Sequence, residues 1–396
     1  MIVIVASSSI STVNALTTVV TLTPLVSHVR TLVSYHSQAD GDFGWSVALS
    51  SGVVVVGAPD EMVSGSSEAG RVYVFNSKTG ALTQTLVSPN SQVDGYFGVS
   101  VALSGGAVVI GATGENVHAG RVYVFNAKTG ALTRTLVSPN AETWGGFGNS
   151  VALSGGVVVV GALWETVGGS GDAGRVYVFN AKTGALTQTL VSPNAQTYGL
   201  FGDSVALTSS VIAVGANGET VSGNSGAGRV YVFNVKTGAL TQTLVSPNSQ
   251  VDGCFGCSVA LNGDALVVGA DESVNGNSGA GRVYVFNVVG GFLTWTLTSP
   301  NSQTNGGFGS SVAWSSDVLV LGAPYETVGG DSAAGRAYVF NTKTAALTQT
   351  LVSPNSQTNG YFGWSVAVSS GVVVVGAWGE TVGGNSAAGR AYIFRI

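Results

Sequence analysis

Residues 43–58 read Phe43-Gly44-Trp45-Ser46-Val47-Ala48-Leu49-Ser50-Ser51-Gly52-Val53-Val54-Val55-Val56-Gly57-Ala58. Two apolar runs flank a Ser/Gly turn, which is the pattern of two antiparallel strands. The opening Phe-Gly returns at Phe97, Phe147, Phe201, Phe255, Phe308 and Phe362, at intervals of 54, 50, 54, 54, 53 and 54 residues. Periods of this length denote solenoids, propellers or arrays. The chain is therefore one unit written seven times, and its 396 residues need not be divided into several domains.

Each copy continues beyond the quoted stretch. After a Gly/Ser-rich loop comes Gly70-Arg71-Val72-Tyr73-Val74-Phe75, then a turn at Asn76-Ser77-Lys78-Thr79-Gly80, then Leu82-Thr83-Gln84-Thr85-Leu86-Val87. Val, Thr, Tyr and Phe dominate, and no segment has a helical period. The second strand is apolar on both faces (Val53 to Val56, Val157 to Val160, Val372 to Val375), as a strand buried on both sides must be. The fourth alternates with Thr and Gln, as a half-solvated edge does. Four strands of graded burial, repeated seven times, predict an all-β fold, a seven-bladed β-propeller of four-stranded antiparallel blades. A stacked β-solenoid is the competing arrangement, and the graded burial fits it less well.

The last copy stops after Ala391-Tyr392-Ile393-Phe394, one strand short. The missing strand is at the other end, where Val29-Arg30-Thr31-Leu32-Val33-Ser34 matches residues 83–88 at an offset of 54. The N-terminal strand is expected to complete the seventh blade and remove the open edges. The propeller then occupies residues 28–396. Residues 1–27 form an extension with two open readings, a signal peptide or the worn fragment of a preceding repeat.

Composition excludes several functions. Charged residues make up 9% of the chain and the net charge is -5, which argues against nucleic acid and anionic membranes as partners. No apolar run approaches the ~20 residues of a membrane-spanning helix. Two cysteines are too few for a disulfide framework or a Cys-rich zinc site.

Phe-Gly followed about a dozen residues later by Gly57-Ala58-Pro59 or Gly322-Ala323-Pro324 resembles the FG-GAP repeat. This repeat builds the seven-bladed propeller of integrin α subunits and occurs in many surface proteins. The resemblance covers residues 29–396, although five copies replace the proline. It implies a non-enzymatic binding or adhesion module, extracellular or at the cell surface, with a protein or carbohydrate ligand. Integrin-type repeats often hold calcium in an acidic loop between the first and second strands. Here that connection is Ser50-Ser51-Gly52, Ser104-Gly105-Gly106 or Asn262-Gly263-Asp264, too poor in oxygen ligands for the cation. No cofactor and no metal are therefore expected.

Candidate residues fall into two sets. Glu61, Glu115, Glu165, Glu219, Glu272, Glu326 and Glu380 recur at one loop position, and Arg71, Arg121, Arg175, Arg229, Arg282, Arg336 and Arg390 open every third strand. They are seven of nine glutamates and seven of ten arginines. A carboxylate ring that binds cations is one reading. The preferred one is a structural Glu–Arg pair in each blade, because a seven-fold feature belongs to a scaffold. The second set consists of aromatics that interrupt otherwise constant loops: Tyr96, Trp144, Trp164, Tyr198, Tyr325, Tyr361 and Trp378. The loops between blades and those between second and third strands are expected on one rim. Aromatics there suit a protein or sugar surface, and drift at tolerant loop tips is the bland counter-reading.

The remaining motifs are read as structural. Asp40 and Asp42 are calcium candidates, with turn chemistry preferred. Cys254 and Cys257 form C-x-x-C outside any βαβ context and read as incidental thiols or a local bridge. Lys78-Thr79-Gly80 resembles a β-lactamase element but recurs as a hairpin turn. His28, His36 and His118 are scattered, and no copy carries a unique acid, base and nucleophile, so no catalytic residue is assigned. A polysaccharide lyase or hydrolase and a structural subunit of a surface assembly are the alternatives.

Overall fold

The computed structural model describes residues 27–396. Residues 1–26 of the N-terminal extension, on which both of its readings rest, lie outside this range. The described residues form 28 strands in seven four-stranded antiparallel sheets. The first blade runs Ser46–Ser50, Val53–Ala58, Arg71–Asn76 and Leu82–Val87, paired in that order from the axis outward. The first strands of successive blades touch one another around a ring, including Ser365–Ser369 against Ser46–Ser50. A linear stack would leave that last contact unmade.

The ring closes as the repeat arithmetic predicts. Ser27–Leu32 joins the last sheet as its fourth strand, antiparallel to Arg390–Arg395. Leu32 faces Ala391, Thr31 faces Tyr392 and Arg30 faces Ile393, with a bulge before His28 faces Phe394. In the first blade Leu86 faces Val72, Thr85 faces Tyr73 and Gln84 faces Val74, with the bulge at the same place. The borrowed strand thus reproduces the register of a native one. It begins at Ser27, one residue before the boundary drawn from sequence.

The hydrophobic core is a set of layers between blades. Val55, Val72, Val74 and Leu86 of the first blade pack on Phe97, Val108, Ile110 and Tyr123 of the second. Leu32 belongs to the layer that joins the last blade to the first, with Phe43, Tyr73, Val374 and Ile393. This is why second strands are apolar on both faces: each is covered by a neighbour on either side.

The two constant dipeptides form the seam. Phe97 is fully buried and meets Phe125 edge-on at 6.0 Å. Gly98 follows at φ 101°, and its carbonyl accepts from Ser46 Oγ of the preceding blade at 2.7 Å. Gly57 lies so close that a Cβ there would sit 2.1 Å from Gly98 O. Ser365 Oγ donates in the same way to Gly44 O at 2.7 Å and closes the circuit.

Candidate functional site

The loops between blades and the loops between second and third strands do share one rim. The amides of Asp94, Tyr96 and Phe97 donate to the carbonyls of Ser67, Glu68 and Ala69 in the preceding blade, at 3.0, 2.9 and 3.2 Å. Gln92 reaches forward to Gly114 O of the following blade at 3.1 Å. Each inter-blade loop is thereby pinned on both sides.

Beneath this rim lie the repeated glutamates. All seven are fully buried, and each pairs with the arginine that opens the third strand of its own blade, at 3.0 to 3.7 Å. The tyrosine of that strand donates to the same carboxylate, Tyr177 to Glu165 at 2.5 Å and Tyr231 to Glu219 at 2.6 Å. A serine after the outer strand of the previous blade supplies a further donor, Ser138 to Glu165 at 2.5 Å. Asn194 and Arg229 complete the shell of Glu219 at 3.2 and 3.1 Å. Burial pushes the carboxyls of Glu61, Glu115, Glu165 and Glu380 above the ordinary range, and these donors oppose it. The same burial, with the adjacent carboxylate, drives the tyrosine hydroxyls upward. None of these carboxylates has exposed surface, and the donors around Glu165 come from its own blade and the preceding one.

The aromatic candidates divide into groups. Tyr325, Tyr361 and Trp378 come together. Tyr361 stacks on Trp378 with centroids 4.6 Å apart at 14°, and Tyr325 meets Tyr361 edge-on at 5.7 Å. Two further residues join them that the loop pattern did not single out. Trp45 lies 4.8 Å from Trp364 and 5.5 Å from Trp378, and Trp364 lies 5.6 Å from Trp378. The five rings form one continuous patch from the sixth blade to the first. Tyr325 is exposed and the other four are half-buried. Trp378 Nε1 is buried with no hydrogen-bond partner.

A second group lies elsewhere on the rim. Trp144, 61% exposed, stacks flat on His118 at 3.9 Å, and Tyr96 stands 6.5 Å from His118 and donates to Glu68 at 2.8 Å. Trp164 covers Gly146, and Tyr198, 66% exposed, has no ring neighbour among the described residues. The seven candidates therefore do not form one surface.

Trp45 and Trp364 have a signal in the sequence. The residue after Phe-Gly reads Trp45, Val99, Asn149, Asp203, Cys257, Ser310 and Trp364, whereas the next residue is always serine. The constant serine makes the seam hydrogen bond, and the variable residue stands just outside it at the head of the innermost strand.

Beside the aromatic patch is an acidic pair. Asp42 O accepts from Trp45 N at 3.0 Å, so the two share one turn. The Asp42 carboxyl is buried against that of Asp60, with Asp40 and Glu68 nearby, and both members of the pair are raised above the carboxylate range, chiefly by burial. Among the described residues, no three His, Cys, Asp or Glu side chains converge in metal-holding geometry. The turn between first and second strands is two residues in the first blade, Ser51-Gly52. Asn76 Oδ1 accepts from the amides of Lys78 and Thr79 at 2.9 and 3.0 Å, which makes the Lys-Thr-Gly segment a hairpin turn. Cys254 and Cys257 are bridged. No helix is long and apolar enough to cross a membrane among the described residues.

The FG-GAP repeat family matches this chain seven times, at residues 27–75, 81–125, 132–179, 185–233, 240–286, 294–340 and 346–394. The chain is also similar to integrin alpha-2 of Bos taurus, with 30% identity over 132 residues, which is 29% of this chain and 11% of the relative. The similarity thus spans about a tenth of that protein's length.

Proposed function

The chain belongs to the FG-GAP repeat family, and from that premise we propose that it is a non-enzymatic binding or adhesion module, extracellular or at the cell surface, which presents its loop rim to a protein or carbohydrate ligand. The observation that carries the reading is the patch of Trp45, Trp364, Trp378, Tyr361 and Tyr325. The patch stands on blades joined by the buried glutamate hydrogen bonds, and aromatic surface of this kind dominates binding energy at small cost in entropy. The second aromatic group, Tyr96 with Trp144, and the separate Trp164 and Tyr198 would frame the contact rather than anchor it. The reading assigns no calcium to the turns between first and second strands, which are too short to wrap the ion.

The test is retention of glycans on an array and of surface proteins on the immobilised protein, repeated with Trp364→Ala and Trp378→Ala. A retained ligand should lose affinity by at least about tenfold in each variant, with the thermal midpoint little changed. Equal affinity in all three proteins would sink the patch as the site. Turnover of a polysaccharide would sink the non-enzymatic reading.

A further inference from the structure

We propose that the Cys254–Cys257 bridge is a redox-active disulfide, a thiol-exchange site on the rim that adjoins the aromatic patch at Tyr325 and takes a dithiol as its substrate.

The bridge is not needed by the turn it closes. In every blade the residue after Phe-Gly donates its amide to the residue before Phe, at 3.0 Å for Trp45 to Asp42, 3.1 Å for Val99 to Tyr96 and 3.0 Å for Trp364 to Tyr361. Cys257 makes the same bond to Cys254 O at 3.0 Å, and Cys254 N is held by Gly226 O at 2.9 Å. Six blades form this turn with no sulfur. A bridge that spans three residues also restricts the unfolded chain least, because loop-closure entropy grows with loop length. Both half-cystines are only partly covered, and they line a cavity of about 180 Å³ together with Asp271, Ser310 and Tyr325. A small dithiol or an extended cysteine-containing segment can approach them there.

The surroundings are equipped for exchange. Asn217 Nδ2 lies 3.6 Å from Cys254 Sγ and 3.5 Å from Cys257 Sγ, close enough to donate to whichever sulfur leaves as a thiolate. The amide is held by Asp203, whose Oδ2 accepts from the same nitrogen at 2.7 Å, and Asp203 is in turn approached by Asn149 Nδ2 at 3.5 Å. Burial raises the Asp203 carboxyl to about 6. The position of Asp203 is occupied in other blades by Trp, Val, Asn, Cys or Ser, and that of Asn217 by Pro, Thr, Leu, Asp or Trp, so this constellation occurs once in seven copies. Asn217 and Asp203 are positioning residues here; the sulfurs react.

The reaction balances with a dithiol as reductant. One thiolate of the dithiol attacks a bridge sulfur, the S–S bond breaks, and its electron pair leaves on the second sulfur. That thiolate accepts the Asn217 N–H and is protonated from water. The second thiol of the substrate then attacks the substrate sulfur of this mixed disulfide and displaces the protein cysteine as a thiolate, which takes a proton from water; the substrate's disulfide forms and Cys254 and Cys257 are left as a dithiol. The substrate is oxidised by two electrons and the bridge is reduced by two, and the reverse reaction introduces a disulfide-to-dithiol change in a partner.

The experiment equilibrates the intact folded protein in graded mixtures of reduced and oxidised dithiothreitol, then quenches and alkylates it for mass measurement. The pair should titrate reversibly, and oxidised, reduced and C254S/C257S proteins should unfold within about 2 °C of one another. Asn217→Ala and Asn217→Asp should slow reduction by about tenfold while the oxidised forms melt together with the parent. Reduction only under denaturing conditions, a large drop in melting temperature on removing the bridge, or parental reduction rates in both Asn217 variants would each overturn the proposal. Ligand binding at the aromatic patch is read separately, so failure here leaves that proposal standing.

Discussion

Ser34 and Tyr73 meet hydroxyl to hydroxyl at 2.8 Å across the seam between the last blade and the first. Ser34 follows the borrowed strand by two residues, and Tyr73 donates onward to Glu61 at 2.6 Å. The strand that completes one blade therefore also delivers the serine that latches the next. At the other six seams the serine follows the outer strand of the preceding repeat, as Ser138 does before Glu165. Here the serine and the outer strand come from the N-terminal segment, while the blade they complete is the C-terminal one.

Removal of residues 28–36 should accordingly do more than fray an edge. It deletes the outer strand of the seventh blade, the Leu32 side chain from its layer and the Ser34 latch together. We expect a sharply lower melting temperature by calorimetry. Leu32→Ala alone should cost about 2–5 kcal/mol, the range for a buried leucine. A truncated protein that melts with the parent would show that the closure contributes nothing.

Glu219→Ala leaves Ser192, Tyr231, Asn194 and Arg229 without their common acceptor. Removing one partner of a buried ion pair costs about 3–5 kcal/mol. Urea unfolding should show a loss of that size, while affinity at the rim patch stays at the parental value. Lost affinity at parental stability would instead identify the carboxylate ring as a ligand site.

The seam glycines give a matched pair of substitutions. A Cβ on Gly161 would fall 2.0 Å from Gly202 O of the next blade, so Gly161→Ala must separate two blades or distort both. Overpacking of this kind costs about 1–3 kcal/mol or more. Gly171, in an open loop, has nothing within 4 Å and an ordinary φ. Its alanine variant should fold as stably as the parent. Equal midpoints for the two variants would contradict the close approach.

The Asp42–Asp60 pair makes stability depend on pH in a definite direction. Both carboxyls are raised in the folded protein relative to the 3.8 of a free aspartate, mainly by burial. Between those values the folded state binds more protons than the unfolded one, so the stability from this pair is full at low pH and declines as pH rises. The melting temperature should fall from about pH 5 toward pH 8. Asp42→Asn should flatten the slope, and an unchanged slope in that variant would place the titrating groups elsewhere.

The scaffold was readable in the sequence because its determinants repeat. Phe97, Gly98 and Gly57 recur as the seam, and Val29 to Ser34 betrays the exchanged strand through its offset alone. The Glu–Arg pairs could be anticipated for the same reason, although not the serine and tyrosine that share each carboxylate. Those partners come from another blade or from across a loop, and only three-dimensional proximity links Ser138 to Glu165. The rim was harder. Tyr325, Tyr361 and Trp378 were visible as interruptions of a constant loop, but Trp45 and Trp364 sit in a strand-like stretch where an aromatic looks like core. Their proximity depends on the innermost strands standing side by side, which no local pattern encodes. His118 looks isolated in the sequence because its stacking partner, Trp144, lies in the following inter-blade loop.

The seven seams repeat one backbone plan with altered side chains: Val108 and Ile110 in one layer stand where Leu319 and Leu321 stand in another. The Ser-to-Gly hydrogen bond and the buried phenylalanine are the parts common to every joint. The rim, by contrast, is composed across the joints: moving one blade would split Trp45 from Trp364 or Asn217 from Cys257, so each surface feature belongs to a pair of neighbours in the wheel.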